Sequence, residues 1–137
     1  MSVVVDTSVW IDYLNDRKAA HVEALDALLS GTTPVCTTPA VLQEILQGAK
    51  TRERQSAWRR QFANIPCLAF HDAGAGAVAA AEVYLACRIA GKTPRSSNDC
   101  LIACIAIEHG AQLLHHDRDF DAIARVEPRL RLYRAAA

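Results

Sequence analysis

Short apolar runs alternate with longer helical patterns along the whole chain, and this alternation limits the possible fold more than any other feature. The runs with strand character are SVVVD, PVCTT, CLAF, AQLLHHD and LRLY. Between them, apolar residues recur at helical spacing, as in AVLQEILQGAK and DCLIACIAIEHG. Strands that alternate with helices predict an α/β fold, with a central parallel sheet flanked by helices on both faces.

The chain is long enough for one domain with a substantial core. It has 137 residues, of which 51% are hydrophobic, and single domains mostly have about 100–150 residues. No internal repeat or linker interrupts the pattern, so residues 1–137 are expected to form a single domain. Basic and acidic residues number 15 each, so net charge indicates neither nucleic-acid nor membrane binding.

The cysteines indicate a reducing compartment. Their number is odd and none forms a CxxC pair: Cys36, Cys67, Cys87, Cys100 and Cys104. We expect reduced thiols rather than disulfides or zinc ligands. No basic-then-apolar leader precedes the first strand, and no apolar stretch approaches the roughly 18 residues of a membrane span. The sequence therefore predicts a soluble, cytoplasmic protein.

Two of the strand-like runs lead into an aspartate in a polar turn. Asp6 follows SVVV, and Asp117 follows AQLLHH. Functional sites of parallel sheets lie at the carboxyl ends of the strands, so these two carboxylates are expected at one edge of the sheet. The alternative for Asp6 is helix capping, because Asp, Thr and Ser all favour the start of a helix.

Two further acids lie at helical positions. Glu44 is at the margin of an apolar stripe, where it is either a solvated residue or part of a site. Asp99 begins a nearly all-apolar helix, where a carboxylate is favoured by the helix dipole. Asn98 or Ser97 could cap that helix without it, which leaves Asp99 free for another role.

Asp119 lies two residues after Asp117, and only one of the two is needed to cap the helix that follows. Three or four carboxylates gathered in one place repel one another strongly unless a cation is present. Sites made of oxygen ligands suit magnesium or manganese. Convergence of these acids would therefore indicate a divalent metal site.

The acidic motifs together resemble those of PIN-domain ribonucleases, and more narrowly the VapC toxins of VapBC toxin–antitoxin pairs. They are VVVDTSVWIDYL, Glu44 in a short helix, SSNDCLIACIA and LLHHDRDFDAIA. The resemblance covers the chain from about Val3 to Leu132, and it is specific because four acidic motifs keep their order and spacing.

The resemblance implies a site formed by Asp6, Glu44, Asp99 and Asp117. It implies that Asp6, Asp99 and Asp117 hold Mg²⁺ or Mn²⁺, and that Glu44 either ligates the ion or orients the attacking water. The implied activity is metal-dependent endonucleolytic cleavage of RNA, which inhibits translation or growth. The implied partners are an RNA substrate, a small VapB-like antitoxin that blocks the site, and a second copy of the chain in a homodimer.

Three other residues have implied supporting roles. Ser8 matches a small hydroxyl residue that helps hold the metal or its waters, and Asp119 matches a second, supporting acid of the last motif. The family usually has threonine two residues before the last aspartate, but this chain has His115. Its imidazole N–H either replaces the hydrogen bond of the threonine hydroxyl or the geometry of that corner changes.

Two groups of basic residues could grip RNA phosphates, or could be ordinary solvated helix faces. The first group is Lys50, Arg52, Arg54, Arg59 and Arg60, and the second is Arg88, Lys92 and Arg95.

Three other functions are compatible with parts of the pattern. His115 and His116 suggest a transition-metal phosphoesterase, but adjacent strand residues point to opposite faces. The Asp6-Thr7 pair resembles the first motif of aspartate-nucleophile phosphatases, which requires a second aspartate where this chain has Ser8. A PIN fold that only binds RNA or a protein is the non-catalytic alternative, and such modules have usually lost one or more acids.

Overall fold

The computed structural model of the protein describes residues 1–135, so the last two residues of the predicted domain lie outside the description. The strands are β1 (Val3–Val5), β2 (Val35–Cys36), β3 (Gln112–Leu114) and β4 (Arg131–Leu132). They form one sheet in the order β2-β1-β3-β4, and every neighbouring pair is parallel. The predicted α/β fold with a central parallel sheet is confirmed.

The helices lie between the strands, largely where the sequence predicts them. They are α1 (Thr7–Leu14), α2 (Ala20–Ser30), α3 (Pro39–Gln47), α4 (Arg52–Phe62), α5 (Ala73–Ile89), α6 (Ser97–Glu108) and α7 (Arg118–Val126). Thr38 caps α3 by accepting a hydrogen bond from the Val41 N–H at 3.3 Å, and Pro39 follows at the first helical position. Of the helices in residues 1–135, none is long and apolar enough to cross a membrane.

Both faces of the sheet are covered. Val3, Val4 and Val5 of β1 are each 0% exposed, although successive strand residues point to opposite faces. A central strand can bury every side chain only if helices pack on both sides of the sheet. β1 is thereby held rigidly between β2 and β3, and the residue that follows it has a fixed position.

The prediction that CLAF forms a strand is wrong. Only Cys67 pairs, in an isolated parallel bridge with Thr37. Thr37 donates to the Pro66 carbonyl at 2.9 Å and accepts from the Leu68 N–H at 2.8 Å. The segment is at least partly exposed throughout, so it lacks the buried face that would extend the pairing.

Helix α6 is buried as its composition predicts, but its start differs from the expectation. Ser96, not Ser97 or Asn98, is the capping residue, and its hydroxyl accepts from the Asn98 N–H at 3.2 Å. At the other end, Gly110 has φ +63°, a backbone conformation that favours glycine. This turn sends the chain from α6 directly into β3, so α6 and β3 have a fixed relative position.

The structure describes all five cysteines. All five thiols are free, and four of them are buried. Burial raises the pKa of Cys100 to about 12 and that of Cys104 to about 11. These thiols stay protonated at neutral pH and act as small apolar side chains.

Candidate metal-binding site

Asp6 lies directly after β1, at the carboxyl edge of the sheet. Its backbone N–H donates to the Leu114 carbonyl of β3 at 2.9 Å. Ser8 donates to Asp6 Oδ2 from its N–H at 3.0 Å and from its Oγ at 2.6 Å, and the His116 N–H donates to Ser8 Oγ at 3.0 Å. Asp6 therefore does cap α1, and the same contacts hold its carboxylate in one orientation. Burial raises the pKa of Asp6, although the hydrogen bonds from Ser8 oppose the rise.

Glu44 faces Asp6 from helix α3. Its Oε1 accepts a hydrogen bond from Thr7 Oγ1 at 3.2 Å, and the side chain is half-buried. Burial and the negative charge of Asp6 raise the pKa of Glu44, while the bond from Thr7 lowers it. Glu44 is therefore tied to the residues around Asp6 rather than freely solvated.

Asp99 lies in the first turn of α6 and is 8% exposed. Its Oδ2 is buried and has no hydrogen-bond partner among residues 1–135. Burial is the main cause that raises the pKa of Asp99 to about 7, and the negative charges of Asp6 and Asp117 add to it. Because Ser96 already caps α6, the helix does not need this carboxylate as its cap.

Three carboxylates form a compact group. One oxygen each of Asp99, Asp117 and Asp119 can be chosen so that all three lie within 4.8 Å of one another. Asp6 and Glu44 do not belong to this group in the described part of the chain, but their charges raise the pKa of Asp99. The structure thus brings the predicted acids to one edge of the sheet. Asp119, for which only a supporting role was expected, belongs to the same compact group as Asp99.

The last acidic motif is held by an arginine. Asp117 caps α7 by accepting a hydrogen bond from the Asp119 N–H at 2.9 Å. Of Asp117 and Asp119, the capping residue is therefore Asp117. Arg95 donates from Nη2 to Asp117 Oδ1 at 2.8 Å and from Nε to Asp119 Oδ2 at 3.0 Å. Burial opposes ionisation of Asp119, but the hydrogen bonds from Arg95 outweigh it, so the pKa of Asp119 lies below its usual value.

His115 accepts a hydrogen bond at the site, whereas one of the two expectations was that its imidazole N–H donates one. Its Nδ1 accepts a hydrogen bond from the Asp117 N–H at 3.1 Å, so the ring does not donate to this position. Burial lowers the pKa of His115 despite nearby negative charges such as that of Asp121. A neutral ring is the form that can accept this bond, and it supports the turn that carries Asp117.

The two adjacent histidines point to different neighbours. The His116 ring stacks on His21 with centroids 3.9 Å apart, and His115 packs against Phe120 at 5.3 Å. Their rings therefore do not converge on one ion, which argues against a transition-metal site at this pair. The phosphatase alternative fails for a similar reason, because Ser8 is bonded to Asp6 and offers no second carboxylate.

A groove of about 570 Å³ borders the acids, and its walls carry Arg95, Arg118 and Arg134. Lys92 lines a neighbouring cavity beside Asp119. None of the first basic group, residues 50–60, lines either space within the described chain. A larger groove of about 810 Å³ lies between Tyr13 and Trp58, away from all four predicted acids, so size alone does not locate the site.

Sequence reasoning missed two residues that position the acids. Thr7 holds Glu44, and its only signal was its place between Asp6 and Ser8. Arg95 was recognised as a possible phosphate-binding residue but not as a partner of the last acidic motif. Arg95 is 22 positions from Asp117 and 24 from Asp119. Hydrogen bonds over such distances in the sequence leave no local pattern that could reveal the partner.

The residues fit a divalent cation. The donor set consists of carboxylate oxygens, which magnesium and manganese prefer. Asp99 Oδ2 is buried and has no partner in the part of the chain that the structure describes, and such a group is costly unless something binds it. A cation at this edge would satisfy that oxygen and offset the repulsion that raises the pKa of Asp99.

Comparison with known proteins finds a matching family and similar relatives. The PIN domain family model matches residues 3–126. Ribonuclease VapC11 of Mycobacterium tuberculosis strain H37Rv is 39% identical over 125 residues, which cover 90% of this chain and 92% of that protein.

Solved structures show the same fold. VapBC2 from Rickettsia felis, bound to a DNA fragment from its promoter, matches with a TM-score of 0.74 and 21% identity, over 97% of this chain and 98% of that chain. VapBC-5 from M. tuberculosis matches with a TM-score of 0.68 and 24% identity, over 98% and 100%. The chain therefore belongs to the PIN-domain family and, within it, to the VapC ribonucleases.

Proposed function

We propose that the protein is a metal-dependent endoribonuclease and the toxin of a VapBC toxin–antitoxin pair, which cleaves RNA phosphodiester bonds and so inhibits translation or growth. The observation that carries this proposal is the buried Asp99 oxygen, which has no partner in the described residues and lies among the other acids at the carboxyl edge of the sheet. A module that only bound RNA would have no use for a buried carboxylate oxygen that no group in residues 1–135 satisfies.

Asp6, Asp99 and Asp117 are the residues that would hold the ion, with Mg²⁺ or Mn²⁺ as the cation. A divalent ion bound there neutralises charge on the phosphate and makes a water more acidic. Ser8 fixes the orientation of the Asp6 carboxylate, and Thr7 fixes that of Glu44. Glu44 orients the attacking water, and the raised pKa of its carboxyl group suits it to accept a proton.

The proposed partners follow from the relatives. The similar solved structures are VapBC pairs, which supports a small VapB-like antitoxin that covers the acidic edge of this chain. A homodimer and an RNA substrate are parts of the same proposal, as is a cytoplasmic location. Three arginines in the groove beside the acids give an RNA strand a path to the site.

Metal removal tests the proposed function directly. Excess EDTA should stop RNA cleavage by the purified protein, and Mg²⁺ or Mn²⁺ should restore it. Ca²⁺ should not, because it accepts a larger and looser set of oxygen ligands. Cleavage is measured on gels with labelled RNA, and an Asp99→Asn preparation purified in parallel controls for contaminating ribonuclease. Cleavage that persists in excess EDTA would rule out a metal nuclease.

His115→Thr should retain RNA cleavage, and His116→Ala should have a mild effect. A threonine hydroxyl can accept the Asp117 N–H as the imidazole does, and the His116 ring stacks on His21. Cleavage rates and Mn²⁺ binding of each variant measure this. Loss of metal binding in both His115→Ala and His116→Ala would favour a histidine metal site instead.

A further inference from the structure

Arg95 makes an unusually complete set of contacts with the last acidic motif. Besides its two side-chain bonds to Asp117 and Asp119, its backbone N–H donates to Asp119 Oδ2 at 3.1 Å. Two nitrogens of one guanidinium thus contact two different carboxylates. A guanidinium on paired carboxylates forms strong charge-assisted hydrogen bonds, so Arg95 supplies positive charge where the acids are most crowded.

The position of Arg95 also connects the acids to the neighbouring groove. The side chain is 63% exposed, and it lines the groove together with Arg118 and Arg134. Asp99 lies four residues further along the chain, and one of its oxygens lies within 4.8 Å of one oxygen on each carboxylate that Arg95 contacts. A divalent cation near Asp99 would therefore share those carboxylates with Arg95.

Two cations that share one set of carboxylates oppose each other's binding, because each reduces the negative charge that attracts the other. Metal binding must therefore weaken the contacts of Arg95 with Asp117 and Asp119. An exposed guanidinium released at this point faces a groove with two more arginines. Its planar fork matches the geometry of a phosphate group.

We propose that Arg95 is an exchangeable counter-cation: it pairs with Asp117 and Asp119 while the acids hold no metal, and it binds a phosphate of the RNA strand once a divalent cation occupies them. The RNA part rests on the proposed ribonuclease function, whereas the metal part concerns the protein alone. Arg95 thus offsets part of the repulsion among the acids before the metal binds, and afterwards contacts the substrate.

The metal part is tested without RNA, by isothermal titration of the purified metal-free protein with Mn²⁺. Arg95→Ala should bind Mn²⁺ more tightly than wild type, on the order of tenfold, which is typical of coupling between two ligands. Arg129→Ala is the matched control, because Arg129 pairs with Glu127 and not with the clustered acids; its Mn²⁺ affinity should equal that of wild type. Weaker Mn²⁺ binding by Arg95→Ala would show that Arg95 only holds the acids in position, and would overturn the proposal.

The RNA part is tested by fluorescence anisotropy with a short labelled RNA in Ca²⁺, with gels to verify that the strand stays intact. Arg95→Ala should bind RNA more weakly, and the slope of log affinity against log salt should fall by about 0.7, as expected for one phosphate contact with a single strand. Arg95→Lys keeps the charge without the fork and should lie between Arg95→Ala and wild type. An unchanged affinity and slope in Arg95→Ala would overturn the transfer of Arg95 to RNA.

Two further measurements separate the possible failures. If Arg95→Ala does not fold, Arg95→Gln takes its place in both experiments, because its amide can still donate to the carboxylates. A wild-type protein that cuts no RNA in Mg²⁺ would refute the proposed function, while the Mn²⁺ titration would still decide the metal part for Arg95.

Discussion

Metal-free Asp99→Asn is expected to melt several degrees above metal-free wild type at pH 8, and to cleave no RNA in Mg²⁺. The asparagine removes a buried negative charge that burial and neighbouring acids oppose. Its amide N–H groups can donate to the adjacent carboxylates, so no new unsatisfied donor results. The same substitution removes a proposed metal ligand, which accounts for the loss of cleavage.

The pH dependence of folding stability explains why Asp99→Asn should melt higher than wild type at pH 8. The pKa of Asp99 is raised from 3.8 to about 7, so the folded chain binds this proton more tightly than the unfolded chain. The resulting stabilisation of the folded chain is fully present below about pH 4 and is lost as the pH rises through 7. At 1.36 kcal/mol per pKa unit, the loss in free energy of unfolding is at most roughly 4 kcal/mol. Asparagine carries no charge at any pH, so the gap in melting temperature should be small at pH 4 and open towards pH 8.

Melting curves in EDTA at several pH values, repeated with Mg²⁺, measure the effect. A stabilisation of 1 kcal/mol shifts melting by about 3–5 °C for a chain of this size. Mg²⁺ should raise the melting temperature of wild type more than that of Asp99→Asn, and so narrow or reverse the gap, because the ion binds the folded state. If Asp99→Asn melts below wild type in EDTA at pH 8, Asp99 serves mainly to stabilise the start of α6.

Asp6→Asn should lower RNA cleavage by roughly a hundredfold to ten-thousandfold, which corresponds to several kcal/mol of lost charge stabilisation. Asparagine is as good a helix cap as aspartate, so α1 keeps its cap and the protein should remain folded. The substitution therefore separates the charge of Asp6 from its capping role. Glu44→Gln should be similarly severe, because the amide cannot accept a proton from the attacking water.

Single-turnover cleavage rates and far-UV circular dichroism together measure this effect. Asp26→Asn is the matched control: Asp26 is exposed on α2, and its substitution removes the same charge without touching the acids. Wild-type cleavage by folded Asp6→Asn would contradict the assignment of Asp6 to the site. Its bonds with Ser8 would then serve only to cap α1.

The parts of the molecule that were predictable depend on local chemistry. The valines of β1, the Thr38-Pro39 helix start and the apolar α6 each leave a pattern within a few residues, and the structure has all three. CLAF shares the composition of a strand but lies partly exposed at the sheet margin. Composition does not reveal whether a segment has a partner along its whole length, and this one pairs only at Cys67.

The acids were predictable as a group, but their contacts were not. Asp6 and Asp117 follow strands, so parallel pairing alone brings them to the same edge. The choice of Ser96 as cap and the acceptor role of His115 depend on backbone angles and ring orientation within a single turn. Arg95 reaches Asp119 across 24 positions, and this contact depends on the packing of α5 and α6 beside α7.

The pairing of β1 with β3 has a consequence for the order in which the chain is made. Val3 pairs with Gln112, and the Asp6 N–H donates a hydrogen bond to the Leu114 carbonyl. One of the two neighbours of β1 in the sheet is therefore synthesised more than a hundred residues after it. Proteins are made from the amino end at about 5–20 residues per second. During that interval a ribosome carries Asp6 and Glu44 without Asp99 or Asp117. A nascent chain, or one terminated before Asp117, therefore lacks the complete set of carboxylates, and the translation machinery that makes this protein meets the assembled acidic site only when synthesis is nearly finished.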